Sequence, residues 1–299
     1  MTTPTTTRTL LTAALPITFI LIWSSGYLVG SIGINNGGPP LALIAWRFLT
    51  ALIIIATITL TTHAPWPTNP RTYLHLLTTG ALLQTVQLGA VYLGLGAGVP
   101  AGLSSVILSV CPLIVAAAAV PLFNEQLTRR QWTGLLIGLA GVLIALSDKL
   151  HTTNHQLSGY TYTAIALLGF AAGTLYHKRF GTTVDLRTAT TIQLAGATIT
   201  SFPLAALHGG LTFPLTAPAL GALAWLATVN SIGAFTVLFL LLRRRTGGAA
   251  TSLLYLVPPV TALLAVPLLH QNITSSVLIG MAVSAIGVLM VTLRKRPHG

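Results

Sequence analysis

The sequence predicts an all-α polytopic membrane protein, with ten transmembrane helices arranged as two inverted five-helix repeats. Three observations predict it. The 299 residues are 53% hydrophobic and only 6% charged, with a mean hydropathy of +0.82. An ordinary soluble domain is roughly 25% charged, and a folded sphere this poor in charge would expose more apolar surface than a monomer tolerates. Ten apolar stretches are long enough to approach the roughly 20 residues a membrane-crossing helix needs, and basic residues alternate between the loops that join them. The chain also matches itself when shifted by 146 residues.

The predicted spans are 10–30, 41–61, 73–95, 101–123, 131–147, 159–177, 188–207, 220–242, 249–269 and 277–293. The first follows Arg8 and lacks a small-residue cleavage site, so it reads as a retained helix rather than a signal peptide. The second carries Arg47-Phe48. The third holds Gln84 and Gln87 and runs into Gly94-Leu-Gly96-Ala-Gly98, which reads as a tight turn. The fourth is interrupted by Pro112. Thr128 and Gln131 form a capping-box pattern for the fifth, which bears a Gly134/Gly138/Gly141 stripe. The seventh holds Gln193, the eighth Asn230 and the ninth Pro258; the tenth repeats the small-residue stripe as Gly280/Ser284/Gly287. Such stripes permit close helix contact, within one chain or between two copies, so a monomer and a homodimer both fit.

Charge checks the count. The N-terminus, the loops after even-numbered helices and the C-terminus hold Arg8, Arg71, Arg129, Arg130, Lys178, Arg179, Arg187, Arg243, Arg244, Arg245, Arg294, Lys295 and Arg296, while the opposite loops hold only Lys149. A missed helix would scramble this alternation, and the positive-inside rule places both termini in the cytoplasm of an inner (plasma) membrane protein. The formal charge of +12 is therefore read as helix anchoring on a lipid bilayer. No basic stripe with interleaved aromatics points to nucleic acid.

The 146-residue shift aligns helices 2–5 with helices 7–10 without a gap. PLIVAAAAVPLFNEQLT from Pro112 aligns with PPVTALLAVPLLHQNIT from Pro258, and the same shift pairs Arg47 with Gln193 and Gln84 with Asn230. Residues 1–147 and 148–299 thus form two five-helix repeats. An odd helix number per half inverts the second half, the plan of many secondary transporters.

Five-helix halves, the Arg47-Phe48 pair, and the run from Pro112 through Pro121-Leu-Phe-Asn-Glu-Gln-Leu-Thr before a Gly-rich helix resemble the EamA family of the drug/metabolite transporter superfamily. The resemblance covers about 16–293. It implies a central cavity between the halves and transport of small metabolites, often outward. One departure stands out: Glu125 of the first half is answered by Gln271 in the second, so a role needing both carboxylates is in doubt.

Candidate substrate-contacting residues follow from polarity inside the spans. Pro112 and Pro258 each free a backbone carbonyl, which in a membrane must be satisfied or face a protein-lined cavity. Ser105, Ser109 and Pro112 share one helix face, as do their mates Thr251, Tyr255 and Pro258. These faces fit opposite walls of one cavity, although Ser and Thr also bond back to their own helix. Gln84, Gln87 and Asn230 must point into protein, toward substrate or a neighbouring helix. Trp23, Ser24 and Tyr27 lie too deep for the interfacial belt that suits Trp66 and Trp132; they could stack on an apolar substrate or simply pack. Arg47, with its mate Gln193, fits a carboxylate contact or gate, a structural hub bonded to carbonyls, or a side chain snorkelling to the membrane edge.

The remaining observations exclude. Glu125, Asp148 and Asp185 are the only acids and all lie between spans, which removes the usual intramembrane proton relay; His75 and His177 sit near span ends. There is no phosphate-binding G-x-x-x-x-G-K-[ST], no H-E-x-x-H and no Asp pair, so neither an ATP-driven pump nor an intramembrane protease is indicated. No cofactor or metal is implied, and Cys111 stands alone. The expectation is a secondary carrier, not an enzyme, that moves small metabolites, foremost amino acids, by uncoupled alternating access. Drug or nucleotide-sugar transport, a channel-like pore and a membrane-embedded enzyme are the alternatives.

Overall fold

The computed structural model describes residues 4–147, 154–181, 184–234, 237 and 256–292, and among these the regular structure is entirely helical. Ten helical rods follow one another: α1 (Pro4–Asn35), α2 (Pro40–Thr61), α3 (Pro70–Gly96), α4 (Ala101–Phe123), α5 (Arg129–Leu146), α6 (Asn154–Phe180), α7 (Leu186–Leu207), α8 (Ala217–Gly233), α9 (Val257–Leu269) and α10 (Ser275–Thr292). Four are long and apolar enough to cross a membrane by length and composition: Leu15–Asn35 of α1, α2, α3 and α4. Thr251, Tyr255, Asp148, Lys149 and the Arg243–Arg245 cluster lie outside the described residues.

Helix ends follow local chemistry. Proline opens α2, α3, α8 and α9, where a missing N–H costs nothing because the first turn has no intrahelical acceptor. Asn69 caps α3 by accepting from the Arg71 N–H at 2.9 Å, and Asp185 caps α7 by accepting from the Arg187 N–H at 3.0 Å. The Thr128/Gln131 capping box forms as the sequence predicts. In α7, Thr190, Thr191, Thr198 and Thr200 each donate to a carbonyl one turn back, at 2.7–2.9 Å. A threonine-rich helix thereby presents methyl groups outward and keeps its hydroxyls satisfied.

Three rods are broken inside. In α4 the helix stops at Leu108 and restarts at Cys111, with Pro112 in the new first turn. In α3 a π-helical segment occupies Ala81–Val86, and in α8 another occupies Leu226–Gly233. Such widened turns are rare and concentrate at functional sites.

The 146-residue shift reappears as geometry. It carries α2 onto α7, Cys111–Phe123 onto α9 and α5 onto α10, end to end. It also carries the α3 π-segment into that of α8, and the left-handed Asn124 (φ 53°) onto the left-handed His270 (φ 52°). Packing follows the same correspondence. α2 lies on its own mate α7, and α5 on its own mate α10; α1 touches α8 and α9 as α6 touches α3 and α4. At the α5–α10 contact a side chain on Gly141 would collide with Ser284, and one on Gly287 with Gly138. Both small-residue stripes are used inside one chain.

The outer surface is apolar. Leu136, Leu139 and Leu143 of α5 are 54–68% exposed, a contiguous greasy face suited to lipid. The interior instead holds Arg47, Gln84, Gln87 and a series of Ser and Thr side chains, all buried.

Candidate functional site

A cavity of about 170 Å³ lies among α1, α2, α3, α6, α7 and α8. Seven of the residues expected from the sequence line it: Trp23, Tyr27, Arg47, Gln84, Gln87, Gln193 and Asn230. The lining thus unites both pairs that the 146-residue shift matches, Arg47 with Gln193 and Gln84 with Asn230. Each amide of the second pair stands on a π-segment, Gln84 within Ala81–Val86 and Asn230 within Leu226–Gly233. On α3 the lining continues past the π-segment through Gln87, Leu88, Val91 and Tyr92, and on α8 Ser231 lines the cavity beside Asn230.

Arg47 is 4% exposed and does not snorkel to the membrane edge. Its Nε donates to Ser231 Oγ at 3.0 Å, Nη1 to Tyr92 Oη at 3.0 Å and Nη2 to Asn230 Oδ1 at 3.2 Å. The sequence-based structural reading had this guanidinium bonded to carbonyls; its partners are two hydroxyls and an amide oxygen instead. These are themselves held. Tyr92 donates to the Gly26 carbonyl at 3.0 Å, Ser231 to the Leu226 carbonyl at 3.0 Å, and Asn230 Nδ2 to the Ile22 carbonyl and to Ser25 Oγ. Trp225 Nε1 donates to the same Ser25 hydroxyl at 2.9 Å. The network stitches α1, α2, α3 and α8 together around one cation. Tyr27, Leu83, Leu88 and Phe170 supply apolar wall to the same cavity.

The other expected residues lie elsewhere. Ser24 is fully buried and donates to the Val257 carbonyl at 3.4 Å, joining α1 to the start of α9. Ser105 and Ser109 donate to carbonyls of their own helix, those of Gly102 and Val106, at 2.6 Å each. Ser109 and Pro258 line a separate, almost wholly apolar cavity of about 260 Å³ with Leu256, Pro259, Met281 and Val288. Pro112 lines neither cavity. Its effect is local, since it sits where α4 restarts.

Tyr92, Ser231, Leu88 and Phe170 were not singled out from the sequence. Leu88 and Tyr92 lie one and two turns beyond Gln84, and Ser231 adjoins Asn230, so helical spacing from the amides was the available signal.

Two of the three loop acids, Glu125 and Asp185, are engaged in structure. Glu125 pairs with Lys178 at 2.5 Å. Its counterpart Gln271 accepts from the Ala101 N–H at 3.1 Å, so a neutral amide serves as helix cap where the other half has a carboxylate. The Arg187 guanidinium and N–H beside Asp185 hold its carboxyl below the usual range. His75 bonds Tyr176 at 2.9 Å and stacks on Phe180.

Against known proteins, residues 10–147 and 157–293 each match the model of the EamA-like transporter family. The chain belongs to the EamA-like transporter family. This EamA-like chain is 29% identical to the "Uncharacterized inner membrane transporter YedA" of Escherichia coli (strain K12), over 92% of its own length and 88% of the relative's. It is 24% identical to a "Probable amino-acid metabolite efflux pump" of the same organism, over 89% of each chain. It is 27% identical to a "Probable terminal-alkyne amino-acid exporter" of Streptantibioticus cattleyicolor (strain ATCC 35852), over 66% and 65%. A crystal structure matched at a TM-score of 0.65 and 19% identity, over 93% of this chain and 96% of that one, shares the fold. The protein is a multi-pass membrane transporter and not an enzyme.

Proposed function

We propose that this protein is an inner-membrane secondary carrier that exports amino acids or closely related small metabolites, working as an uncoupled uniporter. The observation that carries the reading is the cavity lining, to which α2, α3, α7 and α8 contribute matched polar residues. In an inverted repeat, two such halves exchange conformations, and exchange opens the shared site first to one side and then to the other. Both termini then lie in the cytoplasm, on the side of the thirteen basic residues. The names of two relatives, an amino-acid metabolite efflux pump and a terminal-alkyne amino-acid exporter, supply the substrate class. Uncoupled transport follows from the acids, none of which lies within a helix span, since proton coupling needs a group that titrates in the path.

The test is reconstitution in proteoliposomes with a labelled amino-acid panel equal on both sides and the membrane potential clamped at zero. An imposed proton or sodium gradient should drive no net accumulation, while a substrate gradient drives flux in either direction. Accumulation that collapses with an ionophore would overturn uncoupled transport.

A further inference from the structure

Among the described residues, the cavity lining holds a buried cation and no anion. Arg47 is the ionised side chain of its lining, and its three hydrogen-bond partners are neutral. The sequence makes this unavoidable. Of the three acids in the chain, Glu125 is tied to Lys178, Asp185 to Arg187, and Asp148 follows the end of α5. A charge held out of water without a counter-ion is expensive, and an anionic ligand in the cavity would remove that cost. Three of the five N–H donors of Arg47 are used. Among the described residues two have no partner, one on each terminal nitrogen, and a pair of guanidinium donors matches the two oxygens of a carboxylate.

We propose that the transported species is a monoanion whose carboxylate binds Arg47 and which carries no free ammonium group: a 2-oxo, 2-hydroxy or N-acylated acid with an apolar side chain. This rests on the carrier reading above and narrows its substrate class. A monoanion brings the site to neutrality. A zwitterion would replace one uncompensated cation by another, with only neutral oxygens, among them the amides of Gln84, Gln87 and Gln193 and the Tyr27 hydroxyl, to meet it among the described residues. Tyr27, Leu83, Leu88 and Phe170 suit a hydrocarbon side chain.

The charge also supplies a direction. A uniporter that carries one negative charge per cycle is driven outward by an inside-negative potential, and needs no coupling ion to export. At 100 mV the equilibrium gradient for one charge is about fiftyfold.

The experiment compares two molecules of one carbon skeleton, 4-methyl-2-oxopentanoate and leucine, in proteoliposomes under a potassium diffusion potential set with valinomycin. The oxo acid should accumulate on the positive side, toward fiftyfold at 100 mV, and disperse when the potential is removed. Leucine should move at least tenfold more slowly. Arg47→Lys should keep the response to potential with at least a tenfold higher KM. Arg47→Gln should lose oxo-acid transport while melting as a folded protein; if it does not fold, the wild type and Arg47→Lys decide. Leucine flux that equals oxo-acid flux and ignores the potential would overturn the monoanion and leave the carrier reading standing. So would unchanged oxo-acid KM in either Arg47 variant. If neither probe nor any amino acid of the panel moves, the carrier reading fails and this inference falls with it.

Discussion

Arg47 Nη2 donates to Asn230 Oδ1 at 3.2 Å, so a cation on α2 and an amide on the α8 π-segment form one contact, 183 residues apart in sequence. The same amide donates to the Ile22 carbonyl of α1. Asn230→Leu keeps the branched shape but removes these bonds and the one to Ser25 Oγ, leaving a buried guanidinium N–H without its amide partner. A loss of about 1–3 kcal/mol is expected. The check is thermal unfolding in detergent beside Asn230→Asp, which supplies an anion to Arg47. Asn230→Asp should fold and yet transport poorly, because the cation is then already neutralised.

Tyr92 shares the load at the other terminal nitrogen, accepting from Arg47 and donating to Gly26. Tyr92→Phe should therefore cost about 1–3 kcal/mol, and should raise KM for the transported acid more than it lowers the maximal rate. A denaturation midpoint and KM both equal to wild type would show that the hydroxyl positions nothing.

Gly141 leaves no room for a Cβ against the Ser284 backbone of α10. Gly141→Leu should weaken or abolish the α5–α10 contact, with a loss of at least about 1–3 kcal/mol. Gly221, which has no neighbour within 4 Å of an added Cβ, is the control: Gly221→Ala should melt like the wild type or slightly above it. Detergent melting curves of the two variants decide.

Asp185 caps α7 and holds Arg187, and its carboxyl is shifted below the usual range by those bonds. A lowered folded-state pKa adds stability above the unfolded value, and that contribution is lost as pH falls through the folded value. Asp185→Ala should cost about 1 kcal/mol near neutrality. The gap between the two melting temperatures should close only below the ordinary carboxylate range. A gap that is constant down to that range and beneath it would assign the cost to packing.

Much of this was legible beforehand. Ten helices, the capping box and the stripes of α5 and α10 follow from hydropathy and spacing, which report local structure directly. The pairing of Gln84 with Asn230 was visible because the repeat keeps an amide at both places. Tyr92 was not, because position 238, its match under the shift, is a leucine. The serines of α4 were singled out for polarity, yet Ser105 and Ser109 spend their hydroxyls on Gly102 and Val106. A hydroxyl reads the same in sequence whether it faces a lumen or its own backbone. Nor does composition announce a π-turn, which depends on how α3 and α8 meet their neighbours.

Topology has its own check. The thirteen basic residues that the sequence puts on one side predict cytoplasmic termini. A fusion after His298 to a reporter active only outside the inner membrane should be silent, and a cytoplasmic reporter there should be active. The opposite pattern would contradict an even number of crossings with cytoplasmic ends.

The central claim is that substrate passes through the cavity around Arg47 by a saturable exchange of conformations. Counterflow tests it most directly: proteoliposomes loaded with unlabelled substrate are diluted into a trace of label, in wild type and in Leu88→Trp, which fills the lumen from α3. The account predicts transient, saturable uptake of label in the wild type and its loss in a Leu88→Trp protein that still melts cooperatively. Flux that rises linearly with concentration, or counterflow undiminished by Leu88→Trp, would contradict it.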